Sequence, residues 1–121
     1  MDSDEARIIV VDDAIDVAEA LAFALEGDGY KVWVAHDGHE ALALVAEHKP
    51  HCVLFDIDMP SLDGSELSKR LRQEHGDDLV LVAVTGWSDK DPRVAEAFAR
   101  VDHYLRKPID AEALRKVLPP L

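Results

Sequence analysis

A doubly wound α/β domain with a parallel sheet is the fold this sequence predicts, and three observations predict it. Five short apolar runs alternate with helix-length segments along the 121 residues. Alternation with connections of that length calls for parallel strands joined by right-handed crossovers. The runs are continuously apolar rather than alternating, as strands covered on both faces are. Finally, four of the runs stop abruptly at polar groups: Asp12-Asp13, Asp56, Thr85 and Lys107.

Arg7–Val11 is a β-branched run and reads as the first strand. Residues 14–27 follow with Val17, Leu21, Ala24 and Leu25 at helical spacing, and Gly27 as the stop. Tyr30–Ala35 is strand-like, and His36-Asp37-Gly38 turns the chain into a helix over 40–48 that carries Ala41, Leu44 and Val45 on one face. Pro50 ends it. Cys52–Phe55 is the central strand and stops at Asp56. After the Pro60–Gly64 loop, Asp63 and Glu66 have capping-box spacing for a helix over 65–75, with Leu67 and Leu71 inward. Leu79–Val84 is the most apolar run and ends at Thr85-Gly86. Asp91-Pro92 introduces a fourth helix with Val94, Ala95, Ala97 and Phe98. His103–Arg106 is the last strand, and residues 110–118 the fifth helix before Pro119-Pro120. The whole chain, 1–121, is expected to be one three-layer domain with its core in 7–118.

Composition narrows the function. An apolar content of 48% fits a folded core. With 13 Lys and Arg against 25 Asp and Glu, the formal charge is −12. A chain this acidic is repelled by nucleic acid and by anionic membranes. It suits a cationic partner surface or a bound metal cation. The single Cys52 lies inside a strand and reads as a core thiol, compatible with a reducing cytoplasm. Asp2-Ser3-Asp4-Glu5 has neither the basic start nor the apolar core of a signal peptide. No apolar run approaches the roughly 20 residues of a membrane helix, so no membrane insertion is expected.

Parallel strands put all their carboxyl ends on one sheet edge, so the four polar ends can meet although they are far apart in sequence. Carboxylates crowded there repel one another and call for a cation. Carboxylate oxygens suit Mg²⁺, and no Cys/His cluster offers a softer metal a home. With Lys107 as a cation and Thr85 as a hydroxyl donor, the set has the parts of a phosphoryl-transfer site.

The chain resembles, from end to end, the receiver domain of two-component response regulators. The matching residues are the strand and its Asp12-Asp13 pair, the block Asp56-Ile57-Asp58-Met59-Pro60 to Asp63-Gly64, Thr85-Gly86, and Tyr104-Leu105-Arg106-Lys107-Pro108. The resemblance implies a flavodoxin-like sheet with strand order 2-1-3-4-5. It implies that Asp56 is the phosphoacceptor, supplied by a phosphohistidine of a histidine kinase or phosphotransfer protein. Asp13, Asp56 and the backbone carbonyl of Asp58 would ligate Mg²⁺, or alternatively Mn²⁺, with Asp12 acting through metal-bound water. Thr85 and Lys107 would hold the phosphoryl oxygens, and Thr85 with Tyr104 would form the switch. Lys107-Pro108 would be a cis peptide. The family is not enzymatic toward other molecules; self-catalysed phosphorylation and autodephosphorylation are expected. The output would be a changed face on the fourth helix, fifth strand and fifth helix, over 88–118, which docks a downstream protein. By similarity, Thr85-Gly86-Trp87 and Asp102–Pro108 sit closer to the receivers of hybrid sensor kinases than to those of transcription factors, so either a stand-alone regulator or a hybrid-kinase receiver is expected.

Some positions depart from the family pattern. Arg100-Val101-Asp102 stands where a Gly is common before the last strand, which predicts an irregular helix end. Asp58 and Trp87 border the path of an attacking water and are expected to tune phosphoryl lifetime. Other residues have bland readings. His36 with His39, and His48 with His51, lack a third ligand and read as surface or loop residues. Phe23, Phe55 and Phe98 read as core, Trp33 as a half-buried strand residue, and Lys69, Arg70 and Arg72 as a solvated helix face. Three rival functions fit the sequence less well. A receiver-like binding module that is not phosphorylated would lack one of the acids, Thr85 or Lys107, and none is missing. Asp56-x-Asp58 is similar to the haloacid-dehalogenase phosphatase motif, but that motif belongs on the first strand. A Toprim-like enzyme needs a Glu on that strand, and the net acidity suits nucleic acid poorly.

Overall fold

The five parallel strands lie in the order β2-β1-β3-β4-β5, in a computed structural model that describes residues 6–56, 64–85, 101–106 and 111–118. The strands are β1 (Arg7–Val11), β2 (Lys31–Ala35), β3 (Cys52–Asp56), β4 (Val80–Thr85) and β5 (His103–Arg106). The helices are α1 (Ile15–Gly27), α2 (Gly38–His48), α3 (Gly64–His75) and a C-terminal helix (Ala111–Val117), with a 3₁₀ turn over Gly76–Asp78. The strand order and parallel sense are those expected from the sequence, and β1, β3 and β5 keep their expected bounds to within a residue. The expected fourth helix over 91–98, with Phe98, lies outside the described residues.

Each central strand is buried on both faces because its side chains alternate between two apolar layers. Ile9, Val11, Val53, Phe55, Leu81 and Ala83 pack against Ala41 and Val45 of α2 and Leu67 and Leu71 of α3. Ile8, Val10, Cys52, Leu54, Val82 and Val84 pack against Ala18 and Leu25 of α1 and Leu114 and Leu118 of the C-terminal segment. Full burial of each large side chain contributes about 1.5–3 kcal/mol relative to exposure, so these layers hold the sheet. Cys52 is core, as expected.

Local signals set the helix ends. Asp37 accepts the Glu40 N–H at 2.8 Å while Glu40 accepts the His36 N–H at 2.9 Å. Asp37 thus caps α2 while Glu40 reaches back to the residue before the cap, a variant of the capping box with Asp in the Ser/Thr role, and α2 starts two residues before Glu40. Lys49 then takes a left-handed conformation with φ 49° and donates its N–H to Val45, so the chain turns before Pro50.

Two expectations are corrected by α1. Its buried face is Ala18, Ala22 and Leu25, with Leu21 half-buried, whereas Val17 and Ala24 are exposed. Phe23, expected in the core, is 80% exposed. The sequence Ile15-Asp16-Val17-Ala18-Glu19-Ala20-Leu21-Ala22-Phe23-Ala24-Leu25 is apolar nearly all round, so periodicity alone does not set which face turns inward. The histidines hold local positions as read. His48 stacks on half-buried Trp33 with ring centres 4.0 Å apart, and His51 Nδ1 accepts the Arg7 N–H at 3.0 Å. Arg72 departs from the solvated reading. Its guanidinium donates to the carbonyls of Gly76 at 2.9 Å and Leu79 at 2.8 Å, and to Asp102 Oδ2 at 2.6 Å.

Candidate functional site

Asp56 is the last residue of β3, and Asp12 directly follows β1. Val11 pairs with Phe55, so the next step of each strand brings Asp12 level with Asp56. The β1–β2 ladder continues one step further, because Asp12 N–H donates to Ala35 O at 3.0 Å. Asp13 is the next residue along. Ligand oxygens of Asp12, Asp13 and Asp56 all lie within 4.8 Å of one another. Among the described residues this is the one cluster of three or more metal-ligating side chains.

Burial distinguishes the three. Asp12 and Asp56 are each 7% exposed, while Asp13 faces solvent. Asp12 Oδ1 accepts the Ala14 N–H at 2.9 Å. That contact fixes the carboxylate and serves the start of α1, whose cap residue Ala14 has no side-chain acceptor of its own. The sequence reading missed this role; an Asp two residues before a capless helix start was the available signal. Beneath Asp12 and Asp56 lies a gap of about 10 Å³ walled by Val10, Leu21, Leu54 and Val84. It sits at the lower limit for one water, and the two acids share it with apolar side chains.

Charges 4.8 Å apart or closer repel by roughly 1 to 3.5 kcal/mol, the upper figure applying near a protein interior of effective dielectric 20. A hard cation relieves that repulsion. Three carboxylates, two of them held on strand ends and one open to solvent, fit an ion that takes a few oxygen ligands and keeps its waters, as Mg²⁺ does.

The remaining expected site residues divide into two groups. Thr85 ends β4 one step beyond Val84, the partner of Asp56, so its backbone belongs to the same edge. Tyr104 lies in β5 opposite Ala83 and is 49% exposed. Asp58, Trp87, Lys107 and Pro108 lie outside the described residues.

Comparison with known proteins agrees with this geometry. Residues 8–119 match the response regulator receiver domain family. The response regulator MprA of Mycobacterium avium is 44% identical over 108 residues, which cover 89% of this chain and 47% of MprA. The chain thus spans about half the length of that relative. The response regulator TrrA of Thermotoga maritima, solved in complex with Mg²⁺ and BeF, superposes with a TM-score of 0.79 at 28% identity, covering 92% of this chain and 94% of TrrA. A response regulator of Burkholderia pseudomallei, solved with a phosphorylated aspartic acid and a calcium ion, gives a TM-score of 0.84 at 28% identity, covering 95% of this chain and 67% of its own. With the strand order, the acidic sheet edge and the sequence match in agreement, the chain belongs to the response regulator receiver domain family of two-component signalling.

Proposed function

We propose that this domain accepts a phosphoryl group on Asp56 from a phosphohistidine of a histidine kinase or phosphotransfer protein, and that the modification switches a protein-docking face. One observation carries the reading: three carboxylates converge at the carboxyl edge of the sheet, with Asp56 on the central strand. The family match and the phosphorylated aspartic acid of the Burkholderia relative support it.

In the forward step an Asp56 carboxylate oxygen attacks phosphorus. The new P–O bond forms as the donor's P–N bond breaks, and the histidine leaves with its electron pair and is protonated. Autodephosphorylation is the attack of water on the same phosphorus, which restores the carboxylate and releases inorganic phosphate. Asp12 and Asp13 enforce the need for a cation at the site; Asp13, Asp56 and the Asp58 carbonyl would hold Mg²⁺, or Mn²⁺ in its place. When bound, the ion neutralises charge on the phosphoryl oxygens. Thr85 donates a hydroxyl and Lys107 a positive charge to those oxygens. Asp58 and Trp87 set how readily water approaches. A phosphoryl group adds about two negative charges, enough to draw Thr85 toward it and bias Tyr104 between outward and inward positions. Tyr104 at 49% exposure is compatible with the outward one. The downstream protein then reads residues 88–118.

The test is intact-mass measurement after incubation with acetyl phosphate and Mg²⁺, beside Asp56→Asn and EDTA controls. One phosphoryl adduct that requires both Asp56 and the metal is expected. An adduct that persists in the Asp56→Asn protein would place the acceptor elsewhere. No adduct from either acetyl phosphate or a phosphohistidine donor, with Mg²⁺ binding established separately, would leave a binding module.

A further inference from the structure

At the opposite edge of the sheet, α2 and α3 end beside the starts of β3 and β4 and leave a cleft of about 300 Å³. That volume lies at the lower end of small-molecule pockets, roughly 300–1,000 Å³. Val45, Ala46, Pro50 and Leu79 give it apolar walls. Lys49, His51, His75 and Asp78 supply its polar groups.

Two helix C-termini meet here, and their carbonyls ordinarily repel anions. Some of the carbonyls at this edge are already occupied. The Arg7 guanidinium donates to the carbonyls of His48 at 3.1 Å and Lys49 at 2.9 Å. Arg72 does the same for Gly76 and Leu79. The His51 tautomer is also fixed. Its Nδ1 accepts the Arg7 N–H, so the neutral ring carries its proton on Nε2 and offers a donor. Lys49 and the His51 Nε2–H are thus donors on the cleft wall, and Asp78 is an acceptor. In a chain of charge −12, the described lining of this cleft carries one ammonium, Lys49, against one carboxylate, Asp78.

We propose that this cleft binds a small organic monoanion, a single carboxylate carried on a compact apolar body. The carboxylate pairs with Lys49 and the Nε2–H of His51. The body lies against Val45, Ala46, Pro50 and Leu79. Asp78 disfavours a second negative charge and so selects a monoanion. The site stands apart from the acidic cluster: five strand steps of roughly 3.3 Å separate His51 from Asp56.

The experiment is an amide-resolved NMR titration of the full chain in EDTA, with sodium phenylacetate as probe and neutral 2-phenylacetamide as its control. Saturable shifts are expected at Val45, His51 and Leu79 and not at Asp12 or Asp13, with the acid binding about tenfold more tightly than the amide, as a charge-assisted contact gives. Lys49→Gly keeps the left-handed backbone while removing the ammonium, and Ala46→Leu fills the cleft from an exposed helical position. Each should weaken binding at least about tenfold, and Asp78→Asn should strengthen it severalfold. Equal affinity for acid and amide, shifts gathered at the acidic edge, parent-like binding by both variants, or no saturable shift would each overturn the proposal.

Discussion

At the carboxyl edge of the sheet, Asp12, Asp13 and Asp56 crowd like charges within 4.8 Å, two of them buried among apolar side chains. At the amino edge, charge is matched. Arg7 closes the C-terminus of α2, Arg72 holds the turn that follows α3, and Arg72 also holds Asp102, whose Oδ2 accepts the Leu81 N–H at 2.8 Å. The same five strands thus run from an end that gains from ionic pairing to an end that tolerates ionic conflict. The difference teaches where stability and where binding energy reside. Loss of an ion pair at the amino edge should cost stability, and loss of charge at the carboxyl edge should add it.

The largest effect expected is at Arg72. Arg72→Met removes three hydrogen bonds and leaves Asp102 without its cation, and should lower the unfolding free energy by about 2 kcal/mol in urea titration. A loss near zero would place the strength of this edge elsewhere. The opposite sign is expected at the other edge. In EDTA, Asp56→Asn should raise stability by about 1 kcal/mol by relieving repulsion from Asp12 and Asp13. Added Mg²⁺ should narrow that gap, because an ion that binds the native parent stabilises it by mass action; thermal melts with and without the ion read both effects. A smaller gain, about 0.5 kcal/mol, is expected from Lys49→Gly, because a left-handed φ of 49° strains any side chain.

The smallest effect concerns acid. Burial opposes the charge on Asp102, but the Leu81 N–H, the Arg72 guanidinium and nearby His103 outweigh it, and its carboxyl pKa is lowered. A carboxyl lowered in the folded state stabilises the fold above its unfolded value near 4. That contribution is lost as pH falls through the folded value. Solvent screening at this exposed position keeps it to about 0.3 kcal/mol. The stability gap between the parent and Asp102→Asn should therefore be present at neutral pH and close in a urea series carried below about pH 4.

The carboxyl edge was legible in the sequence because it is written in strand ends. Asp12, Asp13 and Asp56 each follow an unbroken apolar run, and parallel topology does the rest. The amino edge was not legible. Arg7 reaches carbonyls 41 and 42 residues away, and Arg72 reaches an acid 30 residues away. Such partners depend on the assembled sheet and leave no local spacing; Arg72 beside Lys69 and Arg70 reads as one more solvated charge. The inward face of α1 was misread for a different reason. Where Ile15, Val17 and Phe23 are as apolar as the residues beneath them, hydrophobic period carries no phase, and the small residues Ala18 and Ala22 face the sheet. By contrast α3, with Leu67 and Leu71 alone among polar neighbours, was read correctly.

Cys52, the chain's one cysteine, opens β3 in full burial, and that burial, with Asp102 nearby, pushes its thiol up to about 12. Almost none of it is thiolate at neutral pH, so the buried sulfur does not attack a thiol reagent while the strand stays in place. Labelling must wait for β3 to leave the sheet, and its rate reports how often that happens. The protein thus carries its own stopwatch on the strand that ends in Asp56: one mass shift per molecule, with no engineered label, times the opening of the element on which the proposed acceptor rides.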